Sequence, residues 1–146
     1  MKNLISSTFK PLTFLLFSAV LLASCGKDKD KATPTTGSID IAVGTFKGKI
    51  SVFDRPTSPS NAEYFDAIVT VAKVGDNQLQ ITPKSGEAYS DATPRTYTIT
   101  EKFEGTIGST STTGSFIYKN SDKSMAASGV KVSANERGFV FEGVKQ

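Results

Sequence analysis

The chain has no tryptophan, no histidine and a single cysteine. Without histidine, the commonest general base and the commonest metal ligand are both gone. Its many serines have no imidazole to activate them, so a Ser-His triad is excluded. A zinc site would have to rest on carboxylates alone. One cysteine cannot form an intramolecular disulfide. A small domain without such bridges must be held by its core or by closure of a sheet. Net charge is also scarce. Of 17 basic residues, Lys2 and Lys10 lie in the first ten positions, and without them 15 face 14 acidic ones. Such a balance gives no basic surface for nucleic acid or anionic lipid.

Long apolar runs are missing too. Residues 12–22, LTFLLFSAVLL, make eleven positions, whereas a bilayer core needs about 20. The run follows a start that carries Lys2 and Lys10 and no acid, which reads as a secretory signal peptide over residues 1–24. Ala23 and Ser24 then precede Cys25. Leu22-Ala23-Ser24-Cys25 resembles the bacterial lipobox, an aliphatic residue and two small ones before cysteine. The resemblance implies cleavage between Ser24 and Cys25 and diacylglyceryl transfer to the Cys25 thiol. The thiolate is the nucleophile such a transfer needs. Two or three acyl chains suffice as an anchor at ~0.8 kcal/mol per buried methylene, whereas one chain holds only marginally.

Residues 25–38 carry the lipidated cysteine and a tether, GKDKDKATPTTGS, with no apolar side chain larger than alanine. Such a segment cannot bury enough surface to offset its ordering entropy, so it serves as a flexible spacer. Its charges are similar to the surface-export signals of Bacteroidota lipoproteins, in which acidic residues dominate. Here Lys27, Lys29 and Lys31 outnumber Asp28 and Asp30. The expected location is the outer membrane or the cell surface, held by lipid, with a periplasm-facing anchor as the other arrangement.

From residue 39 to 146 the pattern has period two with turn residues between runs, and no convincing amphipathic helix. Phe46, Gly48, Ile50 and Val52 alternate with Lys47, Lys49 and Ser51 in a first strand. Phe65, Ala67, Val69 and Val71 form one face of a second. Gly75-Asp76-Asn77 turns the chain, so residues 63–83 read as a hairpin. Strands follow at 96–100, more weakly at 103–107, at 114–119, 125–133 and 138–144, with polar loops at 84–94 and 108–113. The expected fold is all-β: a small antiparallel up-and-down β-barrel of about eight strands, with a β-sandwich as the alternative. An immunoglobulin sandwich would prefer a core tryptophan and a cysteine pair, and neither is here.

Gly44-Thr45-Phe46-Lys47-Gly48 is similar to the opening of calycin-like (lipocalin-like) lipoproteins of Bacteroidota. Phe141-Glu142-Gly143-Val144-Lys145 is similar to their ending, and VTVAKVGDNQLQITP at 69–83 fits their pattern. The resemblance implies an eight-stranded barrel over residues 44–146 and maps no catalytic residue. Phe46, Phe65, Tyr97, Phe116, Phe139 and Phe141 are expected to point inward. The first five would line a ligand cavity if the barrel is hollow, and would fill it if it is solid.

Other chemistry is weakly supported. Glu101 and Glu104 fall on opposite faces in a β context. Asp76 and Asn77 lack the spacing of a calcium loop, and residues 105–114 lack the lysine and helix of a phosphate loop. The expectation is therefore a non-enzymatic, membrane-anchored envelope lipoprotein without metal or cofactor. It binds a small apolar ligand or a partner protein. The alternative is a structural or assembly accessory with a solid core.

Overall fold

The structure, a computed structural model, describes residues 38–146. The expected signal peptide, Cys25 and nearly all of the tether lie outside the described residues. A 3₁₀ turn, Ile39–Ala42, comes first. The sequence pattern did not suggest it. Ser38 caps it by accepting from the Asp40 amide at 3.2 Å.

Nine strands follow: β1 Gly44–Phe53, β2 Ala62–Gly75, β3 Gln78–Pro83, β4 Arg95–Thr98, β5 Glu101–Phe103, β6 Thr106–Ser111, β7 Gly114–Lys119, β8 Ser124–Gly129 and β9 Gly138–Lys145. They form one curled antiparallel sheet in the order β4-β3-β2-β1-β9-β8-β7-β6-β5. This is the all-β, up-and-down class expected, and a sandwich would need a second sheet. β1 and β9 close the chain on itself, with Phe46 opposite Lys145 and Val52 opposite Phe139. β4 and β5 end the order, yet only Ile99 and Thr100 separate them along the chain. The Ile99 amide donates to Asn77 O at 2.8 Å, and the Thr100 amide donates to Gly108 O at 3.1 Å. One bent run thus pairs with β3 in its first half and with β6 in its second.

Three expectations need correction. The weak strand at 103–107 is instead a hairpin tip, because Glu104 and Gly105 turn the chain with φ of 38° and 79°. The polar loop at 108–113 is mostly β6. Its one large apolar residue, Ile107, is buried beside Gly108 and Ser109. The strand from 125 ends at Gly129, not at Ser133.

Phe65 is a fourth correction, since it points outward and is 74% exposed. Gly48 pairs with Ala67 and Ile50 with Tyr64, so two residues, Phe65 and Asp66, stand opposite Lys49. Asp66 takes φ 58° to make this bulge. The extra residue resets the alternation. Tyr64 packs against the core in the place expected for Phe65.

The inward row of β1, Phe46, Ile50 and Val52, meets Phe139 and Phe141 of β9, Ile81 of β3 and Tyr118 of β7 in one cluster. Gly48 and Gly143 face each other across β1 and β9. A Cβ on Gly48 would collide with Glu142 O and the Gly143 Cα. The end motifs of the sequence are therefore partners in space. Lys145 completes them, donating through Nζ to Ile41 O at 2.9 Å. Burial, and secondarily Lys123, holds its ammonium below the ordinary lysine value. The 3₁₀ turn thereby closes one end of the barrel. At the other, residues 84–94 bury Tyr89 and Ala92.

Candidate functional site

Four of the five residues expected to line a cavity are brought together. Phe46, Tyr97, Phe116 and Phe139 are at most 2% exposed, while Phe65 stands outside. Phe46 meets Tyr118 edge to face at 5.8 Å, and Tyr97 lies against Phe116 at 5.5 Å. The Tyr97 hydroxyl donates to Ser128 O at 3.0 Å across the barrel. Burial pushes its phenol well above the ordinary tyrosine value, so it remains a neutral donor.

A side chain with no surface open to a water-sized sphere borders neither solvent nor a void of that size. Phe46, Ile50, Val52, Val69, Leu79, Ile81, Ile107 and Phe141 are all in this condition. Around these residues the interior is solid. Tyr64 and Tyr89 were not expected in the interior. Tyr89 lies in a loop without periodicity, and its hydroxyl accepts from the Ile68 amide at 2.9 Å. No sequence pattern signals a non-local bond of that kind.

Hollows among the described residues run along the outer wall beside β8. Two of them measure about 290 and 470 Å³ and share Ile117 and Ala126. Small outward residues, Ser124, Ala126 and Ser128, leave a trough between Ile117 on β7 and Val140 and Val144 on β9. The hydroxyls are already engaged: Ser128 with Ser115 at 2.9 Å and Ser124 with Asp122 at 2.7 Å. The trough is thus chemically bland.

Polar structure concentrates at the end opposite the 3₁₀ turn. The three arginines of the chain, Arg55, Arg95 and Arg137, all act there on loops 54–61, 84–94 and 130–137. Arg55 pairs with Asp91 at 2.9 Å and lies over the Tyr64 ring. Arg95 donates to Val130 O at 2.7 Å and to Glu136 at 3.1 Å. Arg137 donates to Ala134 O and Glu136 O. Guanidinium forks suit such loop fastening better than ammonium groups do. Asp91 Oδ1 and Arg95 Nε are buried without a hydrogen-bond partner among the described residues.

Glu101 and Glu104 are exposed on β5 and in its turn. Among the described residues there is no group of three or more potential metal ligands, and no helix is long and apolar enough to cross a membrane. Cys25 and Ser24, where lipidation and cleavage are expected from the sequence, lie outside the described residues. No family model, curated protein or solved structure matches the chain.

Proposed function

We propose that the protein is a lipid-anchored envelope lipoprotein of the calycin-like type, whose solid barrel engages a partner protein through its outer surface, without catalysis. The anchor rests on Leu22 to Cys25, and the expected location is the outer membrane or cell surface. The observation that carries the rest is the packed interior. Aromatic side chains expected to border a ligand are instead pressed against one another, with the 3₁₀ turn over one end and Tyr89 and Ala92 over the other. Those residues are at most 2% exposed, which leaves almost no room beside them for a small apolar ligand, so contact work falls to the outer wall. That wall carries Ile117, Val140 and Val144 around the β8 trough.

A photo-crosslinking residue at Val140, in the lipidated protein in intact cells, tests this reading. A discrete adduct with one envelope protein is the expected result. If no adduct forms and the purified barrel instead carries an apolar small molecule, the partner-protein reading is wrong.

A further inference from the structure

We infer that the barrel stands end-on to the bilayer, with the end that bears Phe103 and Val74 resting on the lipid surface. The inference rests on the lipid-anchor reading above.

Four features meet at this end: the 3₁₀ turn with Ser38, the β2–β3 turn, the β5–β6 turn and the β7–β8 turn. They are fastened to one another. Lys73 pairs with Asp40 at 3.2 Å, Lys102 Nζ donates to Asn77 Oδ1 at 2.8 Å, and the Asn120 amide donates to Gly105 O at 2.8 Å. The Lys145 amide reaches Lys123 O at 3.0 Å. The turns therefore act as one surface. β2 runs on past the start of β1, since Gly44 pairs with Val71 while β2 continues to Gly75. Val74 thus sits on a projecting hairpin, 49% exposed, and Phe103 sits at the neighbouring tip, 72% exposed.

Scattered exposed apolar residues are normal on a protein surface. Place is what distinguishes these two. Phe65 is as exposed as Phe103 but lies on the barrel wall, and Phe53, Val130 and Val132 are exposed at the far end, so it is the point where the chain enters the domain that decides between the ends. The chain leading from Cys25 joins the described domain at Ser38, on the same end as Phe103. Twelve residues lie between them, and a chain of that length without regular structure has a typical end-to-end distance of ~20 Å. A ten-residue strand such as β1 is ~33 Å long, and a tilt of ~40° leaves a barrel height of ~25 Å. Presenting the far end to the membrane would require the tether to run the full height of the barrel. Presenting the near end requires nothing of it. Charge is nearly balanced at this end, where Lys73, Lys102, Lys119, Lys123 and Lys145 are set against Asp40, Asp76, Glu104 and Asp122, so it gives the contact little drive. The partner is therefore the apolar-to-headgroup interface of the bilayer itself, where aromatic side chains settle favourably.

The chain has no tryptophan, so single-tryptophan variants of the full lipidated protein report without background. F103W, F65W and V132W would be reconstituted into vesicles of brominated phosphatidylcholine, with folding checked by circular dichroism. The expected result is that F103W alone shifts its emission to the blue and is quenched about twofold, as befits an interfacial ring, with the same quenching at high salt. Quenching of F65W or V132W in its place, or equally weak quenching of all three in protein that floats with the vesicles, overturns the end-on arrangement. Failure to float with the vesicles at all overturns the anchor, and the arrangement with it.

Discussion

Replacing Phe46 with alanine should unfold the barrel more readily than any nearby change on the outer face. Phe46 is 0% exposed and packs edge-on against Tyr118. A buried phenylalanine withdraws ~200 Å² from water, worth about 5 kcal/mol at ~25 cal/mol per Å², of which alanine keeps a share. The aromatic contact adds about 0.5–1.5 kcal/mol. The expected loss is therefore about 3–5 kcal/mol, the range for large-to-small changes in packed cores. In a domain of this size that lowers Tm by on the order of 20 °C. Lys47, one residue along, faces outward and pairs with Asp66 at 3.1 Å, where both side chains are largely in solvent. Its replacement by alanine should cost less than about 0.5 kcal/mol. Urea melts of residues 37–146 carrying each change measure the contrast. Equal small losses would refute the packing, and a large loss at Lys47 with a small one at Phe46 would mean that β1 is displaced by one residue.

Gly48→Ala should destabilise the domain by upwards of about 2 kcal/mol, because the added Cβ meets backbone that cannot rotate away; a near-neutral urea melt would contradict the close pairing of β1 and β9. The Val132 amide and Arg95 hold the Glu136 carboxyl below its ordinary value of 4.5. A lowered folded-state value means stability present above the unfolded value and lost as pH falls through the folded one. From about pH 4.5 downward the native domain should therefore lose stability more steeply than Glu136→Gln, and parallel melts across that range would refute the pairing. Metabolic labelling with a radioactive fatty acid should mark the protein, and Cys25→Ala should remove the label; a label that persists would end the lipoprotein reading.

Particular residues show what could be read from the chain and what could not. The alternation of Phe46, Ile50 and Val52 with lysines and serine was enough to place β1 and its faces, because one buried face enforces register. β7 and β9 were legible for the same reason. β6 was not, because Ile107 is its only large apolar residue and small polar ones carry the rest. Phe65 deceived because the bulge beside it depends on Asp66 taking a positive φ, which costs little for aspartate and leaves no mark on the alternation. The filling of the barrel was undecided at the level of sequence. It depends on Tyr89 and Ala92 arriving from a loop without periodicity, fastened through Arg55 and Asp91 across 36 residues. The short motifs at the two ends of the domain carried more than their length suggested, since Gly48 with Gly143 and Phe46 with Lys145 are facing pairs.

The account turns on a barrel whose interior is occupied by its own side chains. Titration of residues 37–146 with an apolar fluorescent dye tests this most directly. A solid core predicts no saturable binding, with fluorescence rising only weakly and linearly with dye. The same titration on Phe116→Ala, which opens a space beside Tyr97, should show binding appear. Saturable one-to-one binding to the native domain, lost in Phe116→Ala or Phe46→Ala, would contradict the sealed barrel and restore an internal ligand site.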